Sequence, residues 1–318
     1  MNSAKPLLSV IVPAFNCAEF IEESLASIFS QGVDDIEVVV VDDGSTDATA
    51  DIAAAFDPRI RVLNNDHGGP AAARNLAVTN ARSDLLAFLD ADDIWLPGKL
   101  SAQLQYLAGH PDTRIVYGGF RLWHADASGH FPPAASIDRS VQEGITPELS
   151  GWIYPELLLD SHIHIITAII HRSVFDKVNG FDGSFGKGSD YDFWIRASRH
   201  FPAYRLNRDL ALYRIHAGGI TKRVTPICAG YELLNRAIEQ WGCAGPDGRQ
   251  GDEPRIYQRL AEICFNHAHT HFWQGDPAVA AGFFRHAIHF GRGNIKTRLY
   301  AIAATLKSLP TRGQGASA

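Results

Sequence analysis

The chain has 318 residues, 46% of them hydrophobic and 20% charged, which is enough for about two domains with a sizeable core and excludes disorder as its main state. With 29 basic against 35 acidic residues the net charge is −6, so no nucleic-acid partner is expected, since such binders carry a basic excess. Four scattered cysteines fit neither a disulfide scaffold nor a paired-cysteine zinc site; with no membrane-length apolar run and no secretory signal, a cytoplasmic enzyme is the default expectation.

The first hundred residues alternate between two periodicities. Leu8 to Pro13 is a short, nearly continuous apolar run, the pattern of a strand covered on both faces. A helix is then predicted with Asn16 as N-cap and Glu19 completing a capping box. Its buried stripe is Ile21, Leu25, Ile28 and Phe29, and Gly32 ends it. Ile36 to Val41 reads as a second buried strand. Ser45 or Thr46 can cap a short helix through Ala55. Ile60 to Leu63 reads as a third strand, Pro70 to Thr79 as a helix and Asp84 to Leu89 as a fourth strand. This alternation predicts an α/β fold, a Rossmann-like and mostly parallel sheet flanked by helices, with ligands at the carboxyl ends of the strands.

Past Pro97 the pattern is mixed. Strands are predicted at Arg114 to Tyr117, Thr167 to His171, Ala203 to Leu206 and Leu210 to Ile215, a hairpin turning at Asp126 to Gly129, and a helix from Asp190 to Arg199. The expected organisation is a catalytic domain over 1–219, a helical domain over 226–310 and a disordered tail over 311–318. The helical part holds segments at Ile227 to Trp241, Arg255 to Trp273 and Ala278 to Phe290, the last two forming one tetratricopeptide-like hairpin without an array.

Carboxylates gather where strands should end. The second strand runs into Asp42, Asp43 and Asp47, the fourth into Asp90, Asp92 and Asp93. A lone strand-end aspartate is usually a cap. Two clusters on one sheet edge need a cation or a hydrogen-bonding ligand, and a D-x-D pair offers hard oxygens to Mg²⁺ or Mn²⁺.

Val10–Asn16, Val41–Asp47, Gly68–Asn75 and Phe88–Asp93, in that order and spacing, resemble the family 2 glycosyltransferases of the GT-A fold over residues 7 to 216. The resemblance implies an inverting, metal-dependent transfer of a sugar from a nucleotide diphosphate to an acceptor hydroxyl, in the synthesis of a cell-surface polysaccharide or glycoconjugate. By position, Pro13, Ala14 and Asn16 touch the nucleotide, and Asp42 with Asp43 meets the base and ribose. A carboxylate accepting a base N–H favours a UDP- or dTDP-sugar. Arg74 and Asn75 match the nucleotide-side segment, and Asp92 is the metal ligand with Asp90 on ribose or metal. Asp93 is expected to cap the turn that follows.

Ninety-eight residues after Asp92, Ser189–Arg196 resembles the family segment that supplies the catalytic base, and Asp190 takes that position. Asp192, two residues on, must face elsewhere if the segment is helical. The family usually has Glu-Asp where this chain has Ser189-Asp190. That departure sustains an alternative, a non-catalytic sugar-nucleotide or carbohydrate binding module with a helical interaction tail. Tyr213–His216 resembles the closing Tyr-Arg-x-His element, which gives Arg214 or His216 to the diphosphate. The acceptor is expected to be a glycan or glycolipid.

Other signals read more plainly. His162 and His164 alternate on an expected strand and could face the acceptor. His267, His269 and His271 fit a solvated or packed helix face. Ile295, Leu299, Ile302, Leu306 and Leu309 form an apolar stripe in a region that has no acidic residue after Asp276 but six basic ones. Docking onto the preceding helices is the expected arrangement; peripheral contact with an anionic membrane is the other.

Overall fold

A computed structural model describes residues 5–216 and 225–309, apart from the side chain of Lys187. The expected tail over 311–318 therefore lies outside the described residues. The chain divides into two units, residues 1–219 with 245–249, and residues 220–244 with 250–318.

In the first unit the elements run β1 (Leu8–Ala14), α1 (Ile21–Phe29), β2 (Ile36–Asp42), α2 (Thr49–Phe56), β3 (Ile60–Asn64), α3 (Gly69–Asn80), β4 (Leu85–Phe88), β5 (Ile94–Trp95) and α4 (Lys99–Gly109). There follow β6 (Ile115–His124), β7 (Val141–Ile145), α5 (Tyr154–Leu159), β8 (Ile169–His171), α6 (Arg172–Val178), α7 (Ser189–Ala197) and β9 (Ala203–Ile215). All seven residues of β1 and all seven of β2 are buried, as expected for strands covered on both faces. Burial of a valine such as Val38 to Val41 contributes about 1.5–3 kcal/mol each.

The strand order is β3-β2-β1-β4-β8-β6-β9-β5, with β7 paired to β9. β1 to β4 are parallel. β8 reverses against β4, β6 reverses against β8, and β9 runs parallel to β6. Two reversals restore the direction, so β9 ends on the same sheet edge as β1, β2 and β4. That edge collects every candidate residue after a strand.

Several local expectations are corrected. Asn16 does not cap α1, which starts at Ile21 with Phe20 before it and no side-chain cap. Asn16 instead has φ 49°, takes a hydrogen bond from Thr46 N–H on Oδ1 (2.8 Å) and donates its own N–H to Ser45 Oγ (2.9 Å). Ser45 and Thr46 therefore join two loops and do not cap α2, which begins at Thr49 beside the carboxylate of Asp47. The turn at Asp126–Gly129 forms, but β6 continues to His124 and no strand returns from it. The two strands expected after Phe201 are one, β9. His164 precedes a 3₁₀ turn at Ile165–Thr167 and is not on a strand.

The second unit contains α8 (Ala229–Trp241), α9 (Glu253–Gln274), α10 (Pro277–His289) and α11 (Ile295–Ser308). Its core is formed by Cys264, Phe265, Ala268, Ala280, Phe284 and Ala304. His271 is a packed residue: its Nε2 lies 2.9 Å from Thr225 O, and Asp276 N–H donates to its Nδ1. The stripe of α11 does not dock. Thr297 and Ala304 are the buried positions, whereas Ile295, Leu299, Ile302, Leu306 and Leu309 are exposed.

Candidate active site

The loop after β4 is held from two sides. Ser24, on the buried face of α1, donates its hydroxyl to Ala91 O (2.8 Å) and Asp93 O (2.5 Å). From β9, Arg214 donates its backbone N–H to Asp93 Oδ1 and its Nε–H to Asp92 O, both at 2.7 Å. Arg214 is itself fixed by Glu23 (2.6 Å) and by the rings of Phe20, Trp123 and Phe131. It is buried and anchors the aspartate loop. Asp93 is fully buried; burial, then Asp92 and Asp90, push its carboxyl well above the ordinary range.

This anchoring leaves Asp90 and Asp92 at the edge, each partly exposed. Asp90 Oδ1 accepts from Arg74 Nη2 at 2.5 Å, and Asp92 Oδ2 lies 2.9 Å from His216 Nε2. Among the described residues no three His, Cys, Asp or Glu side chains form a ready metal cage. Asp90 and Asp92, both partly exposed, are hard carboxylates of the kind that hold Mg²⁺ or Mn²⁺ together with phosphate oxygens, the usual arrangement for Mg²⁺.

Arg74 is the centre of the cluster. Burial pulls its guanidinium down, but Asp90, Asp190 and Asp92 outweigh it and hold the guanidinium above its ordinary value. The same three carboxylates act on two further groups. Burial lowers the imidazole of His164 against the upward pull of Asp190, Asp90 and Asp92. Burial, then Asp93, Asp92, Asp90 and Asp190, raise the phenol of Tyr213 to about 12. Asp190, near the start of α7, and the Asp90–Asp92 pair thus all lie close enough to Arg74, His164 and Tyr213 to act on them electrostatically.

The turn before α7 is fixed from α3. Asn75 Oδ1 accepts from Phe181 N–H and its Nδ2 donates to Phe181 O, both at 2.9 Å. Both ends of the amide are thus occupied, and Asn75 clamps the turn. Gly180, at φ +72°, permits this approach, since a Cβ there would lie 2.8 Å from Asn75 Oδ1. Asp192 is buried and pairs with Arg196 at 2.7 Å; Arg196 in turn donates to Val178 O and Gly180 O. As expected from its spacing, Asp192 holds the turn and Asp190 does not.

At the other end of the edge, Pro13 and Ala14 are the buried last residues of β1, and Ala14 is in register with Asp42. Asp42 Oδ2 accepts from Ser45 N–H (3.2 Å), while its Oδ1 is buried without a hydrogen-bond partner. Asp43 is occupied: its carboxylate accepts from Asn65 Nδ2 and from the Gly68 and Gly69 N–H groups, seating the start of α3. The rings of Phe15 and His67 lie 4.4 Å apart nearby, tilted by 41°, a pair without any local signal in the sequence.

A family model described as glycosyl transferase family 2 matches residues 9–166. The putative teichuronic acid biosynthesis glycosyltransferase TuaG of Bacillus subtilis is 30% identical over 245 residues, 76% of this chain and 91% of that protein. The chain belongs to glycosyltransferase family 2. The Escherichia coli UDP-Glc:α-D-GlcNAc-diphosphoundecaprenol β-1,3-glucosyltransferase WfaP is 29% identical over 68% of this chain and 80% of its own length. The crystal structure of Staphylococcus aureus TarS 1–349 in complex with UDP-GlcNAc superimposes with a TM-score of 0.62 at 18% identity, covering 93% of this chain and 88% of that one, a likeness of fold. This glycosyltransferase thus combines a mixed α/β catalytic unit with a helical C-terminal unit. No helix among its described residues is long and apolar enough to cross a membrane.

Proposed function

We propose that this glycosyltransferase moves a sugar, with inversion, from a UDP- or dTDP-sugar to a hydroxyl of a lipid-linked saccharide during assembly of a cell-surface glycan. The observation that carries the reading is the joint action of Asp90, Asp92 and Asp190 on Arg74, His164 and Tyr213. This shared influence supports a reading in which donor-side and acceptor-side carboxylates serve one site. The unpartnered Oδ1 of Asp42 supports a pyrimidine donor, since a buried acceptor without a partner matches the imide N–H of uracil or thymine. WfaP, a glucosyltransferase acting on a diphosphoundecaprenol-linked GlcNAc, supports the acceptor class.

Asp190 accepts the proton of the acceptor hydroxyl as that oxygen bonds to the anomeric carbon. The bond from this carbon to the diphosphate breaks on the opposite face, and the diphosphate leaves with the electron pair. Asp92, Asp90 and His216 would hold Mg²⁺ or Mn²⁺, which when bound supplies positive charge beside the departing diphosphate. Arg74 pairs with Asp90, and Asn75 holds the backbone that leads into Asp190.

Asp190→Asn should lower nucleotide release from the donor in the presence of acceptor by roughly 10²-fold or more, with UDP affinity changed by no more than about threefold. Near wild-type turnover in this variant would exclude Asp190 as the base. A wild-type chain that binds UDP with Mn²⁺ yet releases no nucleotide with any lipid-linked saccharide would favour the non-catalytic reading, to which the buried Ser189 in place of Glu contributes.

A further inference from the structure

The helix α11 carries two apolar faces, and the second unit of the chain uses only one of them. Thr297 and Ala304 are buried, and Tyr300 and Ala301 pack partly against the core formed with α9 and α10. At about 100° per residue these four positions centre on one side of the helix. Ile295, Leu299, Ile302 and Leu306 centre about 180° away, and Leu309 continues their line beyond the last turn. These five side chains are 57–79% exposed. The exposure is therefore not that of a helix lifted off its core. Its docking face is filled, and a larger aliphatic face remains outside.

Charge specifies what covers this face. Lys296 and Lys307 lie about 100–120° to one side of the aliphatic line and Arg298 about 60° to the other, so cations flank it on both edges. No acidic residue follows Asp276 anywhere in the sequence. Lys307 also donates to Phe272 O (2.8 Å), and the next residue, Trp273, exposes an indole at that end. Aliphatic side chains in a line, cations along both borders and a tryptophan at one end are the features of a helix lying in the plane of an anionic bilayer surface.

We infer that α11 is a membrane-docking element that lays its aliphatic face into the headgroup region of an anionic bilayer. The inference stands apart from the transfer chemistry, although it accords with a lipid-linked acceptor. A second copy of the chain is the competing occupant. It fits less well, because a self-complementary contact would bring like-charged borders together.

The test is co-sedimentation of the full-length protein with vesicles containing about 30% phosphatidylglycerol and with vesicles of phosphatidylcholine alone. Expected is binding to the first, weakened about tenfold or more on the second and in about 0.5 M salt. Leu299→Ser with Leu306→Ser should weaken it at least about tenfold. Lys296→Gln with Arg298→Gln should weaken binding to the anionic vesicles while the aliphatic face is intact. All four side chains are exposed, so melting temperatures should stay within about 2 °C of wild type and exclude misfolding as the cause. Equal sedimentation of wild type and both variants would overturn the inference. So would a wild-type dimer, seen by sedimentation velocity, that binds no vesicle and dissociates in the leucine variant. Nucleotide release in vesicle-free buffer should be unaltered in both variants, so a failed sedimentation test and a failed transfer reaction are separate results.

Discussion

Asp42→Asn separates a ligand-binding carboxylate from a structural one, because the two roles predict opposite signs for stability. Asp42 is buried, one oxygen accepts from Ser45 N–H, and the other has no partner. An asparagine can keep the Ser45 contact through its carbonyl oxygen, and a neutral amide costs less to bury than a carboxylate. Stability of the nucleotide-free protein should therefore hold or rise by up to about 1 kcal/mol, or roughly 2–4 °C in melting temperature. The nucleotide loses a charged acceptor for its base N–H, about 1.5–3 kcal/mol, so UDP affinity should fall about 10- to 150-fold. Calorimetric titration with UDP and Mn²⁺ reads the affinity, and a thermal melt without nucleotide reads the stability. The reasoning fails if the variant melts lower and binds UDP as wild type does, since Asp42 would then be only the lock of its own loop.

Three further outcomes follow from contacts around the site. Asn75→Ala removes two hydrogen bonds from Phe181 and should lower kcat more than it alters UDP affinity, with about 2 kcal/mol lost in chemical denaturation; an unchanged kcat would remove the clamp from the account. Arg74→Met leaves Asp90 without its cation and brings three carboxylates together unscreened, so stability should fall by about 3 kcal/mol and recover partly on adding Mn²⁺ with UDP; a fully stable variant would contradict the central role given to Arg74. Burial opposes ionisation of Glu37, but bonds from Ser9 and Arg82 outweigh it and hold the carboxyl below its ordinary 4.5. A folded-state value below the unfolded one means stability present above about pH 4.5 and lost as pH falls through the depressed value, so Glu37→Gln should flatten the acid limb of a pH–stability curve; an identical limb would place the acid loss elsewhere.

Much of the sheet was legible because its signal is local. Four consecutive valines, Val38 to Val41, mark β2 as a buried strand, and the aspartates at the ends of β2 and β4 follow at once in sequence. What was not legible depends on partners far away in the chain. Asn75 and Phe181 are 106 residues apart, and Arg214 and Asp92 are 122 apart. A polar side chain beside a strand end has the same sequence pattern whether it faces a ligand or ties down a loop, and the loop-holding contacts of Asp43, Asn75 and Arg214 have no local sequence signal. His164 shows the reverse. Two histidines in alternation gave only a direction, and the carboxylates that act on His164 come from the loop after β4 and from α7.

The helix α11 shows why amphipathicity alone does not orient a helix. Its aliphatic stripe dominates the periodicity, and the ordinary rule turns such a stripe inward. Helices that approach closely need small side chains at the contact, and here Ala304, with Thr297 and Ala301, brings α11 close enough for Tyr300 to stack on Phe284. Turning Leu299 and Leu306 inward would require that packed site to open by the volume of two isobutyl groups, and overpacking of this kind costs about 1–3 kcal/mol per site. The small-residue line was present in the sequence all along, about half a turn from the leucines. Reading both lines together predicts the observed orientation, with the bulky face left for a surface outside the chain.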